Sequence, residues 1–228
     1  MNIDKKYYQV ISENLNNTIQ DTNIRVQNKQ VGKVRDAYFL DDKVLMVSTD
    51  RQSAFDRVLA NIPYKGVVLN LVSAWWFKKT KDQFPNHLIS TPDPNISLVE
   101  KCAVFQVEFV VRGYITGSTE TSLWTVYKNG AKEYCGNPIP SGLKKNQKLG
   151  KPMLTPTTKD KVHDRPVSKD EILELGLMTE EDFDRAAKMS LDLFNYGQRV
   201  AAKNGLILVD TKYELGKDAH GNIKFVDE

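Results

Sequence analysis

A mixed helix-and-strand fold is what this sequence predicts, on three observations. Short apolar runs recur between turn signals, as at 44–47, 104–111 and 206–209, and are too short and too β-branched for helices. Longer stretches at 4–20, 67–79, 121–128 and 179–204 carry apolar residues at helical spacing instead. Between them, residues 83–95 hold Pro85, Pro92 and Pro94 and read as a loop approaching a domain boundary.

A chain of 228 residues is long enough to bury a real core as one large or two small domains. Its composition, 40% hydrophobic and 27% charged, is that of a soluble globular protein, and a net charge of only +3 argues against a dedicated nucleic-acid binder while leaving room for a locally basic pocket. Cys102 and Cys135 lie in no metal-ligand spacing. With no apolar run of transmembrane length, no membrane association is expected. The polar start Met1-Asn-Ile-Asp-Lys-Lys lacks a signal-peptide core, so the expected location is the cytoplasm.

In chain order, residues 4–20 read as an amphipathic helix packing through Tyr8, Ile11, Leu15 and Ile19. A β-hairpin follows, 31–40 and 43–50 around a turn at Asp41-Asp42, with Gly32, Lys33 and Arg35 at its mouth. Glycine lets backbone approach a phosphate that the two cations can neutralise; a solvated strand end would look the same. From Thr49 to Arg57, Asp50, Arg51, Ser53 and Asp56 make a stretch dense in hydrogen-bonding groups directly after a strand, where sheets place ligand loops. A capped turn with surface ion pairs is the plainer alternative. Helix 67–79 should bury Leu71, Trp75 and Trp76.

Beyond the boundary, strand 104–113 carries Glu108 at its centre and Arg112 near its end, followed by Thr116, Gly117 and Ser118. A guanidinium, hydroxyls and exposed amides together can cradle an anion. Residues 136–167, with Pro138, Pro140, Pro152, Pro156 and Pro166, read as a long polar connection in which Thr155 to Lys159 offers hydroxyls and an amine. Its His163-Asp164 pair reads as solvated rather than catalytic. Ser168 and Glu171 fit a capping box, and helix 179–204 should turn Phe183, Ala187, Leu191, Phe194 and Ala201 inward.

The run Leu206–Val209 then opens what reads as a buried central strand. Its alternation puts Asp210, Lys212 and Glu214 on one face, about 6–7 Å apart. Charges taken out of water are costly unless paired or metal-bound, so the row is either a structural ion-pair ladder or a site. A second strand from Ile223 ends in Asp227 and Glu228, and carboxylates converging from adjacent strands suit magnesium. Against this, a simple hairpin pairing Leu215 with Ile223 would set Glu214 opposite Lys224, an ordinary ion pair.

Six stretches in this order, Gly32–Asp36, Thr49–Asp56, Val107–Ser118, Thr155–Lys159, Val209–Gly216 and Val226–Glu228, resemble the phosphoribosylaminoimidazole-succinocarboxamide synthase (SAICAR synthetase) family over essentially the whole chain. Gln106 and Leu215 stand where that family usually has proline and phenylalanine. The resemblance implies an α+β pair of domains, 1–102 and 103–228, enclosing a nucleotide cleft as kinases and ATP-grasp enzymes do. It implies an ATP-dependent ligase of de novo purine biosynthesis that joins carboxyaminoimidazole ribotide and L-aspartate through an acyl phosphate. By the same resemblance Gly32, Lys33, Val34 and Arg35 bind ATP, and Glu214 and Asp227 hold magnesium. Lys212 meets phosphate oxygens, and Asp210 positions Lys212 or a reacting group. Arg112 and Ser118 take the ribotide 5′-phosphate, while Asp50, Arg51, Ser53 and Asp56 line the ribotide or aspartate site. Family members continue past the Val-Asp-Glu triplet into a Thr-Pro-Asp-Ser-Ser-Arg segment, which implies that a tail and its ribotide-holding arginine are absent after Glu228. Two rival readings share these residues: a small-molecule kinase of similar fold, which would not require L-aspartate, and an inactive nucleotide-binding fragment.

Overall fold

A computed structural model describes residues 5–54, 57–159 and 165–227, with Lys6 and Tyr7 described by backbone alone. The chain divides between Lys101 and Cys102 into two compact units. Asp56, Glu228 and the pair His163-Asp164 lie outside the described residues. Among those described, no helix is long and apolar enough to cross a membrane.

The N-terminal unit begins with helix α1 (Lys5–Glu13) and then builds an antiparallel sheet from β1 (Asn28–Val31), β2 (Arg35–Phe39) and β3 (Lys43–Ser48). A separate hairpin, β4 (Arg51–Ala54) and β5 (Arg57–Asn61), leads into α2 (Lys65–Thr80) before β6 (Leu88–Asp93) and β7 (Ile96–Glu100) complete the sheet in the order β1-β2-β3-β7-β6. Helix α2 lies on β3, β6 and β7 through Gly66, Asn70, Ala74 and Phe77. This corrects the expected core face, because Leu71 and Trp75 are 45% and 49% exposed. The helix is apolar on nearly every side, so hydrophobicity gave no direction. Close approach decides it instead: a Cβ on Gly66 would meet the Ser48 carbonyl oxygen at 2.4 Å, and Asn70 binds Ser97 and the Pro94 carbonyl. Helix α1 is shorter than expected, and Tyr8, Ile11 and Leu15 are exposed rather than packed.

In the C-terminal unit the long strand β8 (Ala103–Ile115) is the centre of a second antiparallel sheet. After α3 (Leu123–Lys128) and a small hairpin, β9 (Glu133–Tyr134) with β10 (Asn137–Pro138), strands β11 (Gln147–Leu154) and β12 (Thr157–Thr158) pair along one edge of β8. Helices α4 (Lys169–Glu174) and α5 (Glu180–Lys203) follow, then β13 (Asp210–Lys217) on the other edge of β8 and β14 (Ile223–Asp227) outside it. The Ser168–Glu171 capping box starts α4, and Thr179 Oγ1 accepts from Asp182 N to start α5.

One face of this sheet is dry: Val107, Phe109, Val111, Tyr213, Leu215 and Phe225 are buried, and α5 covers them. Gly113 admits the helix, since a Cβ there would meet Gln198 Nε2 at 2.5 Å and the Phe194 ring at 3.2 Å. The buried face of α5 is Phe183, Ala186, Ser190, Leu193, Phe194 and Gly197, rotated from the expected one. Because strand side chains alternate, the same packing turns Glu108, Arg112, Lys212 and Glu214 to the opposite face.

Three further expectations are corrected. Both proline-bearing stretches read as loops contain strands, β6 with Pro92 and β11 with Pro152. Each lies at a sheet edge, where a missing N–H costs no ladder bond. The aliphatic run Leu206–Val209 is not a strand, and Leu206 and Ile207 are 66% and 70% exposed. After the α5 C-cap the chain turns at Gly205, φ 70°, and meets the sheet only where Gly113 N donates to Val209 O.

Candidate active site

The charged face of the C-terminal sheet is assembled by register. Glu108 on β8 faces Glu214 on β13, which faces Asp227 on β14. A bulge after Glu214 creates this alignment: Leu215 pairs with Phe225, not Ile223, and Lys224 binds Asp218 at 3.1 Å. Lys212 bridges the acids, donating to Glu108 Oε1 at 2.6 Å and Glu214 Oε1 at 3.1 Å. Lys159, just past β12, donates to Glu214 Oε2, and Thr157 Oγ1 donates to Glu108 Oε2 at 3.1 Å. Burial opposes the charge on Lys212, yet Glu108 and Glu214 outweigh it and hold the ammonium above the ordinary lysine range. Burial likewise works against the Glu214 carboxylate, and Lys159 with Lys212 still draws it below the ordinary range.

Asp210 does not touch Lys212. It pairs with Arg112, Oδ2 to Nη1 at 3.4 Å, while Arg112 Nε donates to Thr155 Oγ1 at 3.0 Å. Glu108 is thus the acid that fixes Lys212, a partner sequence reasoning missed. Its one visible signal was a carboxylate in the middle of an apolar strand. Ser118 lies exposed in the loop after β8.

In the N-terminal unit, Gly32-Lys33-Val34 is the turn joining β1 to β2, a strand pair unforeseen from sequence. Its three carbonyls are drawn inward: Gly32 O and Lys33 O accept from Arg51, and Val34 O accepts from Thr49 N and Oγ1. Such a turn directs its negative ends away from any ligand. Gly32 is required there because an added Cβ would meet Arg35 O at 2.8 Å. Lys33 is exposed and Arg35 half-buried.

Arg51, expected against substrate, is buried and donates from all three nitrogens, to Asp36, Gly32, Lys33 and Gln20. Asp50 is buried too, with Oδ1 accepting from Gly66 N at the start of α2 and Oδ2 from Ile19 N. The geometry therefore gives both residues the task of shaping the turn and helix. Ser53 sits half-buried on the β4–β5 hairpin. Beside them, burial lowers the Lys65 ammonium below the ordinary lysine range despite Asp50, with Arg35 adding to the effect.

Among the described residues no three His, Cys, Asp or Glu side chains converge as a ready metal cage. Glu214 and Asp227 are partners in register on adjacent strands, and carboxylate is the donor type that magnesium takes, commonly one or two with waters and phosphate oxygens completing the shell.

The fold defines a class. It is the α+β fold of SAICAR synthases: the Saccharomyces cerevisiae enzyme complexed with SAICAR superposes with a TM-score of 0.80 at 32% identity, over 92% of this chain and 76% of that one. A type-2 SAICAR synthetase in complex with ADP gives a TM-score of 0.74 at 26% identity, over 88% and 80%. In sequence, the phosphoribosylaminoimidazole-succinocarboxamide synthase of Legionella pneumophila strain Lens is 58% identical over 92% of this chain and 67% of its own length. The chloroplastic synthase of Vigna aconitifolia is 54% identical over 94% and 64%. Residues 28–228 match the family described as SAICAR synthetase, and the chain belongs to that family. The family reaction is the ATP-dependent ligation of carboxyaminoimidazole ribotide and aspartate in purine biosynthesis. The chain spans about two thirds of the length of these curated relatives.

Proposed function

We propose that this chain binds ATP, carboxyaminoimidazole ribotide and L-aspartate and forms the amide through an acyl phosphate. The observation that carries the reading is the alignment of Glu108, Glu214 and Asp227 across three strands, with Lys212 bridging the first two. A carboxylate oxygen of the ribotide attacks the γ-phosphorus, ADP leaves, and the aspartate amine then displaces phosphate at the acyl carbon. Such chemistry demands neutralisation and alignment of the polyphosphate more than bond-making groups from the protein.

The roles proposed for the residues come from the family resemblance, and the geometry supports them as follows. Gly32, Lys33, Val34 and Arg35 receive ATP phosphates on a turn whose carbonyls are tied back by Thr49 and Arg51. Lys212, held by Glu108, meets the transferred phosphoryl group. Glu214 and Asp227 would hold magnesium, which when bound supplies charge neutralisation and orientation of the phosphates. Arg112, held by Asp210 and Thr155, takes the ribotide phosphate in this reading, with Ser118 from the following loop as a second donor.

Phosphate release by this chain, supplied with ATP, magnesium and the ribotide, tests the proposal. Release that depends on L-aspartate is the expected result. Equal release without L-aspartate would mark a kinase or a hydrolase instead.

A further inference from the structure

Both oxygens of Glu214 are occupied by ammonium groups, Lys212 on Oε1 at 3.1 Å and Lys159 on Oε2. Glu108, Glu214, Lys159 and Lys212 thus balance two acids against two bases among themselves. A divalent cation on Glu214 and Asp227 brings two more positive charges beside both ammoniums, and like charges that close repel strongly in a half-buried site. One of the two lysines must give way. Lys212 is held at a second point by Glu108 at 2.6 Å, itself fixed by Thr157. Among the described residues Glu214 is the one hydrogen-bond and ion-pair partner of the Lys159 side chain. Its backbone is anchored separately, Lys159 N donating to Gln106 O at 3.3 Å, so the side chain can swing while the strand stays.

We propose that Lys159 is an exchangeable counter-ion of Glu214: a divalent cation entering at Glu214 and Asp227 displaces its ammonium, which then meets the polyphosphate that the cation accompanies. The inference rests on the metal role given to Glu214 and Asp227 above. It makes Lys159 a positioning residue that keeps the acidic face closed to cations until one with sufficient charge arrives.

The exchange is tested on the full chain with manganese alone as the probe, counting unbound metal by electron paramagnetic resonance. Removing a competing half-exposed ion pair should tighten manganese binding about fivefold in Lys159→Met. Lys159→Arg, which keeps the charge, should stay near the wild type. After reductive methylation with carbon-13, the Lys159 resonance, assigned by its loss in Lys159→Arg, should shift on adding magnesium to the wild type and not to Glu214→Gln. Manganese affinity unchanged or weaker in Lys159→Met overturns the exchange, as does a Lys159 resonance indifferent to magnesium while the metal binds. Wild-type affinity in Glu214→Gln, or no manganese binding by any of the chains, overturns instead the metal reading beneath it.

Discussion

Two acid–base clusters of similar composition sit in this chain and differ in character. In the N-terminal unit the Asp36 side chain is 0% exposed and is met by Arg51 at 2.6 Å, Lys29 at 3.0 Å and Thr22 at 2.6 Å. In the C-terminal unit Glu214 and Lys212 keep 19% and 44% of their side-chain surface on an open sheet face. The carboxylate and guanidinium at the centre of the first cluster are dry, and the arginine is used from every nitrogen; the Lys212–Glu214 pair of the second is partly open to water. Charge alone does not mark a site. What separates the two clusters is whether water can reach the charges, and the proposed site is the one that water reaches.

The largest effect should come from breaking the dry cluster. Asp36→Ala leaves the Arg51 guanidinium buried without its carboxylate and should cost about 3–5 kcal/mol in urea unfolding. A loss under about 1 kcal/mol, the range of an exposed pair, would erase the contrast. Next in size is the open cluster, read in the opposite quantity. Glu214→Gln should cut turnover about a hundredfold or more, while its urea midpoint stays close to wild type. A variant that loses stability and activity together would move Glu214 to the scaffold side. Arg112→Lys keeps the charge and loses the planar fork, so calorimetry should show the ribotide bound about tenfold more weakly. ATP affinity should hardly change, and equal weakening of both ligands would mean that Arg112 serves a different ligand.

How much of this was legible in the sequence depended on range. The alternation that places Lys212 and Glu214 opposite Tyr213 and Leu215 is local, since a strand repeats every two residues whatever it pairs with. The cap at Ser168 is equally local, and it forms. Partners chosen by register were not legible. That Glu108 fixes Lys212 depends on how β8 slides against β13, and that Glu214 faces Asp227 depends on a bulge no residue announces. Proline misled at Pro92 and Pro152 because its cost vanishes on an edge strand, and edges are a property of the whole sheet. Arg51 and Asp50 carried the right chemistry for a ligand loop; only the structure revealed that their groups are taken up by the backbone and, for Arg51, by Asp36.

The smallest expected effect sharpens the comparison through pH and salt. Burial works against the Asp36 carboxylate, but Arg51, Thr22 and Lys29 outweigh it and hold the group below the ordinary value of 3.8. A depressed carboxyl stabilises fully above its unfolded value and loses that contribution as pH falls through the lower folded value. Glu214 has the same sign, lowered by Lys159 and Lys212 against burial, so both clusters weaken in acid. Salt should tell them apart, because ions screen charges that water reaches and barely affect dry ones. Urea midpoints at about pH 6 and about pH 3, in low and high salt, are the measurement, on wild type, Asp36→Asn and Glu214→Gln. The acid loss absent from Asp36→Asn should be the same at both salt concentrations, and the loss absent from Glu214→Gln should shrink in high salt. Equal shrinkage in both would mean that water reaches Asp36, and the division into a dry scaffold and an open site would fail at its strongest point.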